Sequence, residues 1–243
     1  MKALALIDER CSAAVERALA VCGFRVVRVQ KSARLPEDVA AHPDVLMFYD
    51  AAAGVLISSC EYCERVPWVF GDIRAFSGVK MQFSDELFGD AYPRDCIFNA
   101  VRYGGTLVCK ADTVSKKVLE YALKAGLRIV NTKQGYPACT ALRLSDGVAV
   151  TADCGMANTL EKIGVKVFKI RQGYVSLPGR EYGFIGGTCG VFDGVAYFLG
   201  RVENHPDFEI ISSALKAAGL SYVSLSDEPL FDGGQILFFR NTL

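Results

Sequence analysis

Residues 140–170 read TALRLSDGVAVTADCGMANTLEKIGVKVFKI, and the change of pattern along them sets the architecture. Two alternating apolar runs, TALRLS and VAVTA, flank Asp146-Gly147. Glycine accepts the positive φ of a tight hairpin turn, so this half predicts two antiparallel strands. In MANTLEKI the apolar residues fall three and four apart, which predicts a helix, and Gly164 closes it before a third alternating run, VKVFKI.

The same strand-strand-helix-strand unit recurs along the chain. A glycine followed at once by an alternating strand also occurs at Gly23-FRVVRV, Gly78-VKMQF, Gly126-LRIVNT and Gly219-LSYVSL. SAAVERALAVC, TVSKKVLEYALKA and PDFEIISSALKAA are the helices before three of these. The segment before Gly78 contains Pro67 and Gly71, so its helix is expected to be broken or replaced by a loop. Strand pairs surround Gly54 (VLMFYD, VLIS), Gly105 (CIFNAVRY, TLVCK) and Gly194 (TCGVF, VAYFLG). A fifth pair is split between the C-terminal QILFFRNTL and the N-terminal KALALID. If these two strands meet, the fifth turn position falls near residue 241 and the mean period is about 49 residues. The expected fold is an α/β propeller of five ββαβ blades, closed by the terminal strands, with helices outside and pre-strand loops converging on the axis.

Composition bounds the function. The chain has 243 residues, 51% of them apolar, and 27 basic side chains balance 27 acidic ones. That neutrality argues against a strongly basic nucleic-acid binder and against a disordered, charged regulator. No apolar run is long enough to span a bilayer, and MKALALIDER meets an acidic pair too early for a signal peptide, so a cytoplasmic protein is expected. Length alone allows one domain or two; the split fifth blade leaves nowhere to cut, so residues 1–243 are expected to form one. Nine cysteines without a secretory signal read mainly as reduced thiols. Cys60 and Cys63 form a lone C-x-x-C without a second pair, so neither a metal nor another cofactor is expected. Exposed edges of small sheets invite pairing with a second copy.

Three pre-strand segments carry candidate chemistry: Phe231-Asp232-Gly233-Gly234-Gln235-Ile236, His42-Pro43-Asp44 before VLMFYD, and Gly135-Tyr136-Pro137-Ala138-Cys139-Thr140 before TALRLS. With the five-fold repeat they make the sequence resemble the pentein, or guanidino-group-modifying, superfamily of arginine and agmatine deiminases, dimethylarginine hydrolases and amidinotransferases. Members place an acid motif, a histidine motif and a nucleophilic cysteine before strands of different repeats. The circular order here, acid, histidine, an intervening repeat, then cysteine, is the family order. Counted back from the turns, Cys139 and Asp232 are expected at the same pre-strand position. Two departures stand out: the slot Ile185-Gly186-Gly187-Thr188-Cys189 lacks the family's guanidinium-gripping aspartate, and the R-D pair Arg94-Asp95 sits in the intervening repeat.

The resemblance implies Cys139 as nucleophile, His42 as general acid/base, Asp232 and Asp44 as orienting carboxylates, and a small guanidine or amidine as ligand. A thiolate suits attack on an amidine carbon, a group titrating near neutrality suits proton transfer, and paired carboxylates suit a planar cation. Asp95, Gly187 and Cys189 are further binding candidates, Cys189 also being a rival nucleophile between flexible glycines. Each has a structural alternative: a packed thiol for Cys139 and Cys189, a turn residue for Asp232, close packing for the glycines. In the near duplicate His205-Pro206-Asp207, Asn204 is expected to cap a helix, leaving His205 at the surface. Arg102, Arg143 and Arg180 read equally as carboxylate binders or solvated charges. The alternative function is a non-catalytic pentein that binds a ligand, a protein or a ribosomal partner.

Overall fold

The computed structural model describes residues 1–242. Its first elements are β1 (Ala3–Asp8), α1 (Ala13–Val21) and β2 (Arg25–Val29). The second blade runs α2 (Pro43–Leu46), β3 (Met47–Asp50), β4 (Val55–Ser59), α3 (Cys60–Arg65), α4 (Pro67–Phe76) and β5 (Lys80–Ser84). The third is β6 (Val101–Tyr103), β7 (Thr106–Cys109), α5 (Lys116–Lys124) and β8 (Arg128–Asn131). The fourth is α6 (Pro137–Thr140), β9 (Ala141–Ser145), β10 (Val148–Thr151), α7 (Cys154–Glu161) and β11 (Lys166–Lys169). The fifth holds a 3-10 turn (Ile185–Thr188), β12 (Cys189–Phe192), β13 (Val195–Phe198), α8 (Phe208–Ala217) and β14 (Ser221–Ser224), and β15 (Leu237–Arg240) ends the chain's regular structure.

These strands form five three-stranded sheets, β15-β1-β2, β3-β4-β5, β6-β7-β8, β9-β10-β11 and β12-β13-β14. In each, the first pair is antiparallel and the second, joined through a helix, is parallel. The terminal strands close the ring in the register Ala3↔Arg240 to Leu6↔Leu237. This is the expected five-bladed α/β propeller. The central strand of a blade is apolar on both faces because a helix covers one and neighbouring blades the other: β1 and β4 are buried at every residue. Helices show one apolar stripe only. On α5, Val118, Tyr121 and Ala122 are buried while Leu123 and Lys124 face outward, and Ser115 caps the helix by accepting from the Lys117 amide. Burying an aliphatic side chain of this kind contributes about 1.5–3 kcal/mol.

Two local expectations are refined. The helix before Gly78 is broken but present: α3 stops before Pro67, which lacks the amide to continue it and instead opens α4. The helix after His205 begins two residues beyond Pro206, at Phe208, and Asn204 lies in a separate 3-10 turn. At the β12–β13 hairpin, Asp193 and Gly194 both take positive φ, 48° and 77°, the type I′ geometry that suits strand twist. Among the described residues, no helix is long and apolar enough to cross a membrane.

Candidate active site

Pro43 and Pro137 each open a single helical turn directly before the first strand of a blade, where a missing amide proton costs nothing. The turn carries Asp44 and Cys139 inward, where both are buried. His42 precedes β3 by the same five residues by which Asp232 precedes β15, whereas Cys139 lies only two before β9. The expected shared position of Cys139 and Asp232 is therefore corrected: Asp232 is the counterpart of His42. Counting back from a turn failed in the blade β15-β1-β2 because no turn joins β15 to β1, which come from opposite ends of the sequence.

Four of the sequence candidates meet on one buried floor. The Cys139 thiol donates to the Asp44 carboxylate, with Sγ 3.0 Å from Oδ2 and 3.2 Å from Oδ1. A His42 ring nitrogen, an Asp44 oxygen and the Cys139 sulfur all lie within 4.8 Å of one another. Asp232 Oδ1 is 3.9 Å from His42 Nδ1, and Asp8 Oδ2 is 3.9 Å from His42 Nε2. Both ring nitrogens are buried without a hydrogen-bond partner. Asp232 accepts from the backbone amides of Phe184, at 2.8 Å, and Gly234, at 3.2 Å. The close approach is built from glycines: a Cβ at Gly187 would land on the Asp232 carboxylate, and one at Gly234, whose φ is +63°, would collide with His42.

Burial dominates the electrostatics of this floor. It pushes the Asp44 carboxyl up to about 6, against the pull of His42 and of the Cys139 hydrogen bond. It raises Asp232 as well, again opposed by His42. The Cys139 thiol is driven well above its ordinary value by desolvation and then by the negative Asp44 and Asp232. At rest the proton belongs on sulfur. A cation entering beside the two carboxylates reverses the sign of that field and favours the thiolate.

The floor opens into a cleft of about 690 Å³ whose walls include His42, Asp95, Tyr136, Cys139, Phe184 and Asp232. Asp95 thus reaches the cleft from the intervening repeat. Its Oδ2 accepts from the Tyr136 hydroxyl at 2.5 Å and its Oδ1 is buried and unpartnered. Gly187 supports rather than lines: its carbonyl accepts from the Gly233 and Gln235 amides at 3.1 and 3.0 Å, fastening the acid loop. Cys189 is not with the others. It starts β12, packs in the core and lines a separate axial cavity of about 140 Å³ with Arg102 and Arg143, a cavity that Asp44 also borders.

His205 is buried, correcting its expected surface position, because Tyr174 covers its ring edge-on and the Asp207 amide donates to its Nδ1 at 3.0 Å. Arg102, Arg143 and Arg180 are engaged by Asp50, Asp146 and Asp38. Cys60 and Cys63 share the first turn of α3, and Cys60 donates to Asp85 at 3.3 Å. Among the described residues, only His42, Asp44 and Cys139 gather three side chains at metal-ligand spacing, a set whose sulfur and nitrogen donors suit a zinc-like cation.

Two contributors escaped the sequence reading. Asn99 precedes β6 by two residues, as Cys139 precedes β9, and that register was the available signal. Its Nδ2 donates to Cys139 Sγ at 3.2 Å and to the Asp44 carbonyl at 3.0 Å, and its Oδ1 accepts from the Ala138 amide at 2.8 Å. Asp8, at the end of β1, is fully buried and held by Arg10, whose Nη2 is 2.6 Å from Oδ2. An aspartate ending an apolar strand was its only mark.

Residues 6–237 match a family of unknown function, DUF6873. No curated protein matches the chain in sequence. Solved structures do match its fold. The amidinotransferase SxtG of Microseira wollei, from the saxitoxin biosynthetic pathway, superposes with a TM-score of 0.56 at 14% identity, over 94% of this chain and 78% of that one. A dimethylarginine dimethylaminohydrolase variant, solved as an adduct with S-methyl-L-thiocitrulline, gives 0.56 at 11% identity, over 93% and 94%. ArgZ, a cyanobacterial arginine dihydrolase, gives 0.54 at 11% identity; all of this chain is covered but only 40% of that one. The fold is that of the pentein superfamily.

Proposed function

We propose that this chain, which belongs to the DUF6873 family of unknown function, is a cysteine-dependent enzyme acting on a guanidine or amidine. The observation that carries the reading is the buried contact of Cys139 with Asp44, where Cys139, His42 and Asp232 line an open cleft. A thiol placed against two carboxylates is a poor nucleophile for a neutral ligand and a good one for a cation that neutralises them. Three structural neighbours that are guanidino-modifying enzymes by name add support of a general kind, through the fold alone.

In this reading Asp44 and Asp232 hold the planar cation by charge-assisted bonds. The Cys139 proton passes to Asp44 or His42 as the sulfur attacks the central carbon and a C–S bond forms. His42, between Asp8 and Asp232, protonates the departing amine as the C–N bond breaks. It then takes a proton from water, or from an acceptor amine, whose attack releases the sulfur. Asn99 and Arg10 act indirectly, the first by fixing the Cys139 turn and the second by fixing Asp8.

The test is covalent capture by 2-chloroacetamidine followed by peptide mass spectrometry. One adduct on Cys139, absent in Cys139→Ala, supports the reading, and turnover of a guanidine library completes it. Labelling that persists in Cys139→Ala sinks the nucleophile assignment. An ordinary Cys139 alkylation rate with no turnover favours the non-catalytic binding protein.

A further inference from the structure

Three inter-blade loops bring aromatic side chains to the walls of the cleft above Cys139: Tyr92 before β6, Tyr136 before β9, and Tyr182 and Phe184 before β12. Two of these rings are fixed beside the floor. Tyr136 opens the turn that carries Cys139, and Phe184 holds Asp232 through its backbone amide. Both rings also pack against the core, and the Tyr136 hydroxyl donates to Asp95 at 2.5 Å. Tyr92 stands toward the mouth and is 53% exposed. Its ring centroid is 6.1 Å from that of Tyr136, with 34° between the ring planes. A Cβ at Gly135 would fall 2.4 Å from Tyr92 Cε2, so the ring rests against that glycine, and its hydroxyl donates to the Lys133 carbonyl at 3.3 Å. Held at its tip and on one side, Tyr92 keeps an apolar surface in water with little rotamer freedom left to lose on binding.

From this we infer that the substrate's tail ends in an aromatic ring, which lies against Tyr92 and Tyr136 while the guanidine or amidine reaches Cys139, and that Tyr92 is the specificity-determining residue. The inference rests on the guanidine-modifying reading and names its substrate class, an arylalkyl guanidine or amidine. The space agrees, since a cleft of about 690 Å³ encloses far more than a guanidinium. Charge agrees too. The guanidinium in the cleft wall, Arg180, is engaged by Asp38, so a carboxylate tail meets no free partner there. Asp90 and Glu181 are exposed, so water and salt screen them and weaken their hold on an amine. An aromatic ring gains both from leaving water and from offset or edge contact with two tyrosines.

Equilibrium binding to the Cys139→Ala protein tests the inference without requiring turnover. Three alkylguanidines of matched chain length, ending in a phenyl ring, an amine or a carboxylate, are titrated calorimetrically at several temperatures and two salt concentrations. The phenyl compound is expected to bind about tenfold more tightly than either of the others, with the most negative heat-capacity change. Its advantage over the amine should widen as salt rises. Tyr92→Ala should weaken the phenyl compound about tenfold, and Tyr92→Phe should keep wild-type affinity, because the ring and not the hydroxyl makes the contact. Equal or tighter binding of the amine- or carboxylate-ended compound overturns the inference, as does a phenyl preference that Tyr92→Ala leaves intact. The catalytic reading fails separately, by absence of amidine labelling in the wild-type protein while the phenyl preference persists.

Discussion

The Cys139 sulfur stands 3.0 Å from an oxygen of Asp44, inside a floor that excludes solvent from both. Asp44 raises the proton affinity of the thiol while the thiol's hydrogen bond lowers that of Asp44, so neither titrates as it would alone. The contact links reactivity to the charge of whatever enters the cleft.

Thiol reactivity should therefore depend on reagent charge. At pH 7.5 the cationic chloroacetamidine is expected to modify Cys139 at least about tenfold faster than neutral iodoacetamide, relative to their rates on an unfolded control. Asp44→Asn should raise the iodoacetamide rate and lower the chloroacetamidine rate, and parallel changes in both would refute the electrostatic account.

Asp44 also sets a stability profile. Its folded value of about 6 lies above the unfolded one near 3.9, so the native state holds this proton more tightly. The associated stability is complete below the unfolded value and declines as pH rises through about 6. Asp44→Asn cannot ionise and keeps an acceptor for the thiol; at pH 8 it is expected to be more stable than wild type by about 2–3 kcal/mol, and equal to it near pH 4. Denaturant melts at the two pH values measure this, and equal differences at both would disprove it.

Asn99→Ala removes three buried hydrogen bonds at once, leaving the Ala138 amide and the Asp44 carbonyl without that partner. A loss of about 1–3 kcal/mol for each orphaned group is expected, with chloroacetamidine labelling slowed. A variant with wild-type melting and labelling would show that Asn99 does not position the cysteine turn.

Gly187→Ala places a methyl group on the Asp232 carboxylate, whereas Gly147→Ala, in the open turn between β9 and β10, meets nothing within 4 Å. The first should cost about 1–3 kcal/mol and displace the acid loop; the second should be close to neutral. Paired thermal melts compare them, and equal effects would contradict the close-packing role of the glycine loop.

Ring closure has its own test. Phe239 on β15 is fully buried and packs against Tyr49 of the next blade, ring centroids 4.4 Å apart. Phe239→Ala is expected to cost about 3–5 kcal/mol and to lower cooperative unfolding of the ring as a whole. Loss confined to a fraying terminus, seen as unchanged amide protection in β3 and β4, would argue that closure is dispensable.

Residues 140–170 alone announce a blade, because period two, a turn pair, period 3.6 and a glycine stop are each local backbone preferences. Four repetitions and two complementary ends extend this to a ring, and the register Ala3↔Arg240 is what that reading requires. His42, Asp44, Cys139 and Asp232 were legible because polar residues stand out before apolar strands. The hinge of α3 and α4 at Pro67 was legible in cause but not in outcome, since a proline that ends one helix serves equally to begin the next.

What the sequence determined by itself was the order of elements and the residue types at each strand's entrance, both encoded within a few residues of themselves. Tertiary structure decided which entrances touch. Asn99 reaches Cys139 across 40 positions of chain and Asp44 reaches it across 95, contacts that no local spacing encodes. It also decided that Cys189 faces a different cavity and that Asp8 stands beside His42, through the curvature of the ring. The site's electrostatics belong wholly to that level, because burial and the summed field of neighbouring carboxylates exist only once five blades have closed around them.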